Sequence, residues 1–170
     1  EFRLCSSDLN GATIAMTGKW QPQWVNTLAQ TDPEMVILAY GTNEAFNDTL
    51  DLDLYRQQLT NVVRSIRSNM PDAVILLVGP GDSIKNKTAP DCRSQQPANL
   101  HNVMRIQQSV AKSEGLLYWD WQQFMGGDCA INSWVLRDLA RPDKVHLSGP
   151  GYEKSATALY NALESLLSQQ

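Results

Sequence analysis

Two unbroken apolar runs constrain this chain more than any other feature. Residues 35–40 read MVILAY, open after Asp32-Pro33 and stop at Gly41. Residues 73–78 read AVILLV and lie between Pro71 and Gly79-Pro80. Such runs show no polar face to water, so they suit strands covered on both sides of a parallel sheet. A shorter run at 116–119 follows Gly115. The intervals between them have a helical period. Leu54, Leu59, Val62, Val63 and Ile66 make a stripe that Asn69 and Pro71 end, and Leu100, Val103, Met104, Val110 and Ala111 make another, closed by Gly115. Ala156, Leu159, Tyr160, Leu163, Leu166 and Leu167 make a third. Strand–helix alternation predicts the α/β class: a three-layer α/β/α sandwich on a parallel, flavodoxin-like sheet. In such sheets the site lies at the carboxyl ends of the strands, here just after Tyr40, Val78 and Trp119. No repeat or linker divides the chain, so residues 1–170 are read as a single domain.

Charge and composition remove several classes of function. A net charge of −4 and the lack of a basic stripe argue against a nucleic-acid partner. No apolar run approaches the roughly 18 residues needed to span a bilayer. The N-terminus has no basic region followed by an apolar one, so any signal peptide is expected to have been removed. Cys5, Cys92 and Cys129 are an odd set without CxxC spacing, which points away from zinc. One disulfide with one free thiol, or three buried reduced thiols, both fit the count. No phosphate-binding glycine loop is present, which weighs against a nucleotide domain.

Two short segments carry chemistry. Gly41-Thr42-Asn43-Glu44 follows the first apolar run, where a glycine turn would aim the Asn43 amide at the cleft as an oxyanion donor. Near the other end stands Asp143-Lys144-Val145-His146. Three residues separate Asp143 from His146, close enough for the carboxylate to hold the Nδ1 proton and fix the tautomer of a general base. The chain has only two histidines. His101, in a polar helical segment without a neighbouring acid, is read as structural or solvated.

Together, GTNE after an apolar strand and DxxH about a hundred residues later, followed by Gly151-Tyr152, resemble the SGNH/GDSL hydrolase family. The resemblance implies an oxyanion hole from Asn43 and the Gly11 N–H, with Gly11 in the block Asn10-Gly11-Ala12. It also implies that Asp143 orients His146, the base for a nucleophilic serine. Asn10-Gly11-Ala12-Thr13-Ile14, Val78-Gly79-Pro80, Trp119-Asp120-Trp121 and Met125-Gly126-Gly127-Asp128-Cys129 resemble the peptidoglycan O-acetylesterase branch. That resemblance implies removal of O-acetyl groups from peptidoglycan muramic acid, in the periplasm or after export, with no metal or organic cofactor. Acetyl transfer by the same site, or a catalytically inactive carbohydrate-binding module, are the alternatives. Trp119, Trp121 and Trp134 would serve either as core or as a sugar-stacking platform.

The family's serine block has no match upstream of Gly11, where only Ser6 and Ser7 occur. The first strand of the fold is therefore expected to lie outside this chain, on an N-terminal segment or a second polypeptide that supplies the serine. Its loss should leave two unpaired strand edges in the core. Gly81-Asp82-Ser83 also reads as GDS after a strand, which makes Ser83 the rival nucleophile.

Overall fold

The computed structural model describes residues 11–20 and 23–168. The three apolar runs form β1 (Met35–Ala39), β2 (Val74–Val78) and β3 (Leu117–Trp119). They make one parallel sheet in the order β1-β2-β3, with Met35 opposite Val74 and Leu76 opposite Leu117. Parallel neighbours need a crossover. Here α4 (Leu52–Asn69) lies between β1 and β2 in the chain, and α6 (Leu100–Glu114) lies between β2 and β3. Shorter helices complete the chain: α1 (Ile14–Trp20), α2 (Gln23–Ala29), α3 (Thr42–Phe46), α5 (Cys92–Gln95), α7 (Trp121–Met125) and α8 (Ala130–Leu136). The last is α9 (Gly149–Leu167). The α/β architecture expected from the sequence is thus present, as a parallel sheet with flanking helices.

Local chemistry fixes the element ends. Asp51 accepts a hydrogen bond from the Leu54 N–H to start α4, and Asp120 accepts one from Gln123 to start α7. Gly115, with φ 65°, ends α6 in the left-handed region that glycine enters without a Cβ penalty. The main core lies between the sheet and the α4–α6 pair, which pack against each other, with α1 and α2 laid on α4. A second, smaller core gathers Ile84, Met125, Ile131, Trp134, Ala140 and Leu147 from α7, α8 and their loops.

Two expectations change. Leu54 is 47% exposed, and Tyr55, 1% exposed, takes the inward position on α4. Strand β1 is not covered on both faces: Val36 and Leu38 are buried, while Ile37 and Ala39 are exposed. Continuous hydrophobicity alone does not tell a strand with two covered faces from one with a single covered face. One of the two unpaired edges expected from the missing first strand is present at β1. The three strands are contiguous and β1 is an edge, with a ladder partner on one side only among the described residues. The other expected edge lies outside the described residues.

The C-terminal stripe forms a helix as predicted, but its apolar face stays open. Ala156, Tyr160 and Leu166 are exposed, Leu159 and Leu163 are half-buried, and only Gly151 and Ser155 of the described part of α9 are buried.

Candidate active site

The segment between α8 and α9 is shaped around Asp143. Its Oδ1 accepts the backbone N–H groups of Val145 and His146, both at 2.9 Å. This turn requires Lys144 at φ 62°, a left-handed conformation that costs a non-glycine residue roughly 1–2 kcal/mol. The other carboxylate oxygen, Oδ2, lies 2.9 Å from His146 Nδ1. Asp143 and His146 are therefore in the contact that their spacing predicts. Partial burial pushes the Asp143 carboxyl up. The His146 and Val145 N–H groups and the His146 ring outweigh that effect and hold it at about 2. An ionised Asp143 next to Nδ1 favours the tautomer with the proton on Nδ1, which leaves Nε2 free to accept one.

Asn43 sits in the first turn of α3, on the surface, two residues beyond Gly41. Gly41 has φ 127°, and a Cβ there would meet Gln107 Nε2 at 2.9 Å and Val103 Cγ1 at 3.0 Å. Close packing against α6 as well as backbone angle thus requires glycine at this position. The Asn43 Nδ2 donates one hydrogen to the Ala12 carbonyl oxygen at 2.8 Å, which leaves its second hydrogen free. Gly11, at φ 74°, is exposed in the same segment. Asn43 and the glycine block are thus joined directly. Asn10 lies outside the described residues.

A residue the sequence reading did not assign holds this half together. Glu44 is 3% exposed, and its Oε1 accepts the Ile14 N–H at 2.6 Å while Oε2 accepts the Gly41 N–H at 3.1 Å. Burial pushes its carboxyl up despite these donors. The signal was available: Glu44 is the third residue of a short helix whose start is Gly41, the position from which an acidic side chain reaches back to the cap N–H.

The two halves are linked at the carboxyl edge of the sheet. Ile84, in the loop leaving β2, donates its N–H to the Lys144 carbonyl at 2.9 Å. The next residue, Lys85, donates through Nζ to the Phe46 carbonyl at the end of α3 and pairs with Asp48 at 2.7 Å. A short bonded path therefore runs from the helix of Asn43 to the turn of His146.

The loop leaving β2 is itself anchored from within. Asp82, 2% exposed, accepts Gln96 Nε2 at 2.7 Å and the Ile131 N–H at 2.9 Å. Burial pushes the Asp82 carboxyl up and these donors oppose it. A Cys92–Cys129 disulfide, with Cα atoms 5.9 Å apart, ties α5 to the start of α8 beside it. Cys5 lies outside the described residues. Ser83 is also 2% exposed, and its hydroxyl has no hydrogen-bond partner. A hydroxyl sealed under this loop has no open approach for an ester, which tells against Ser83 as the nucleophile. Ser6 and Ser7 lie outside the described residues.

The remaining sequence expectations divide. Trp134 is 1% exposed and its Nε1 donates to the Met125 carbonyl, so it belongs to the core. Trp119 and Trp121 are half-buried and stack at 6.0 Å between centroids, with Trp121 Nε1 donating to Ser155. His101 does have an acid partner: its Nε2 lies 3.2 Å from Asp128 Oδ1. Asp128 is 27 positions away in the chain, beyond any local pattern. Among the described residues no group of three or more His, Cys, Asp or Glu could hold a metal ion. No helix among them is long and apolar enough to cross a membrane.

Comparison with known proteins bears on the fold and the family. The family model for the GDSL-like lipase/acylhydrolase family matches residues 7–154. A solved structure of a peptidoglycan O-acetylesterase superposes with a TM-score of 0.89 at 38% sequence identity, over 95% of this chain and 45% of that one. This chain thus spans less than half the length of that protein. An acetyl xylan esterase (TM-score 0.70, 17% identity, 92% of this chain and 78% of that one) shares the fold. So does a lipase/acylhydrolase from Enterococcus faecalis (0.66, 17%, 91% and 72%). No curated protein matches the chain in sequence.

Proposed function

Because the chain belongs to the GDSL-like lipase/acylhydrolase family, we propose that it forms the base and oxyanion portion of a serine esterase that removes O-acetyl groups from peptidoglycan. The observation that carries this is the Asp143–His146 contact at 2.9 Å, in a turn whose backbone N–H groups keep the carboxylate ionised. The likeness to a peptidoglycan O-acetylesterase at 38% identity supports the substrate.

In this mechanism a serine hydroxyl attacks the acetyl carbonyl carbon and His146 Nε2 takes its proton. The negative charge on the carbonyl oxygen is met by the free Asn43 N–H and the Gly11 N–H. His146 then protonates the departing sugar oxygen, leaving an acetyl-serine. Water, deprotonated by His146, hydrolyses it to acetate and restores the serine. A second sugar hydroxyl in place of that water would give acetyl transfer with the same residues.

The serine is proposed to arrive on a further strand, from an N-terminal segment or a second polypeptide, lying along the free edge of β1. Two observations support this: the edge of β1 that has no ladder partner among the described residues, and the exposed Ile37 and Ala39 on that strand. The edge of β1 leads directly into the turn of Asn43, so a residue at the end of such a strand would reach the oxyanion donors. An exported, periplasmic setting is part of the proposal, and the Cys92–Cys129 bond supports it because disulfides persist in oxidising compartments.

The test is acetate release from O-acetylated peptidoglycan by the complete protein, with labelling by a serine-directed phosphonate. His146→Ala should abolish release and labelling with the thermal transition unchanged. Activity within tenfold of the parent would overturn the triad assignment, and label on Ser83 would overturn the strand proposal. Binding to the glycan without acetate release by the parent would make it a binding module.

A further inference from the structure

A cleft of about 690 Å³ lies along the first turns of α6, with α5 on its other wall. Its floor is apolar: Met104 is 7% exposed, and Pro97 beside it is buried. Its rim is cationic and amide-rich, formed by Arg93, His101, Asn102, Arg105 and Gln108. The chain as a whole carries net charge −4, so two guanidinium groups on one cleft run against its average.

The partners of these groups make the cleft unusual. Arg105 bonds only within its own helix, from Nη2 to Asn102 Oδ1 and from Nε to the His101 carbonyl at 3.4 Å. Among the described residues neither Arg93 nor Arg105 forms an ion pair with a carboxylate. The nearby acids have other hydrogen-bond partners, although the charge of Asp128 also acts on Arg93. Asp128 accepts from Gln96 and Gln122 at 3.2 and 2.8 Å and lies 3.2 Å from His101, and Asp120 accepts from Gln108 at 3.3 Å. Neither guanidinium is closed into a two-point pair with a carboxylate of the described residues, so each keeps N–H groups that can face the cleft, in a geometry suited to a carboxylate.

The cleft is also connected to the proposed site. Asn99, immediately before α6, donates through Nδ2 to the Asn47 carbonyl at 2.8 Å, at the end of the helix that carries Asn43. This bond ties the start of α6, which lines the cleft, to the end of the helix that carries Asn43.

We propose that this cleft binds a carboxylate-bearing glycan, with Arg93 and Arg105 on the carboxylate, Asn102 and Gln108 on hydroxyl or acetamido groups, and Met104 under a sugar ring. This rests on the carbohydrate-esterase reading above. It adds that the acidic substituent of the glycan, rather than its acetyl group, sets how the substrate lies.

The test measures binding alone. A soluble disaccharide fragment of peptidoglycan with its lactyl-ether carboxylate free is titrated into the purified chain by calorimetry. The same fragment with that carboxylate amidated is titrated alongside it. The free acid should bind, amidation should weaken binding at least tenfold, and so should the double change Arg93→Gln, Arg105→Gln with its melting temperature unchanged. Equal affinity for acid and amide, or an unaffected double variant, would overturn the proposal. Lactate binding as tightly as the disaccharide would also overturn it, by showing a site for small anions only. Because no turnover is read, binding with these properties stands even if acetate release fails, and the two proposals fail separately.

Discussion

At the scale of single residues the proposed site rests on the contacts of three side chains, Asn43, Asp143 and Glu44. Asn43 spends one hydrogen on Ala12, and its other is the one proposed to meet the oxyanion. Asn43→Ala should therefore lower kcat by about 10²–10³, measured as initial acetate release by the complete protein. Asp143 is held ionised at about 2, so it is charged at every pH above about 4. Its folded-state value lies below its unfolded one. The stability it gives the turn is present above pH 3.8 and is lost as pH falls towards 2. Asp143→Asn should cost about a hundredfold or more in kcat, and less than His146→Ala, because orientation is lost while the base remains. Glu44 has the opposite sign. Its folded-state value is raised above 4.5, so the native chain binds more protons and stability falls as pH rises through that window. Glu44→Gln should flatten this part of the pH dependence in urea unfolding. It should also cost about 1–3 kcal/mol, since one N–H of Ile14 or Gly41 then faces an amide NH₂.

At the scale of elements, turns and staples set the positions of these residues. Lys144 occupies the left-handed region, and a β-branched side chain is worst suited to it. Lys144→Ile should lower the unfolding free energy by about 1–2 kcal/mol, whereas Lys144→Gly should match or exceed the parent. Thermal scans of the two variants decide the matter. The Cys92–Cys129 bond closes a loop of 37 residues. On the chain-entropy account that is worth about 4 kcal/mol, so the double change to serine should lower the denaturant midpoint without altering the slope greatly. How well the elements could be read in advance depended on how local their signals were. Strands β1, β2 and β3 fall within one residue of their apolar runs, because Pro and Gly punctuate both ends of β1 and β2 and Gly115 precedes β3. The swap of Leu54 for Tyr55 was not legible, since both residues fit a helical period to within one position. The Asp143–His146 contact was legible because three residues separate the partners. Glu44–Ile14, Asp82–Ile131 and His101–Asp128 were not, because each partner lies more than twenty positions away and only the fold brings them together.

For the whole molecule the distribution of uncovered apolar surface is the main fact. One face of the sheet is well buried under α4 and α6, while Ile37 on β1, Val74 on β2 and the stripe of α9 remain accessible. A sequence pattern marks which residues are apolar but not whether something is present to cover them, so α9 read as a packed helix and stands open. If a strand from a further segment lies on β1, adding it should raise the melting temperature of this chain by several degrees. It should also protect the β1 amides from hydrogen exchange. An added strand that changes neither would place the serine elsewhere.

The Cys92–Cys129 bond also imposes an order in time. The bond cannot close until the last of its two sulfurs has emerged into an oxidising space. By then all of α6 and β3 have been delivered, and α7 with them. The loop leaving β2, with buried Asp82 and its link to Lys144, is thus unfastened throughout that interval. Within these 170 residues Cys5 and Cys92 both precede Cys129, so in the proposed exported setting a Cys5–Cys92 crosslink formed early would compete with the bond the fold uses.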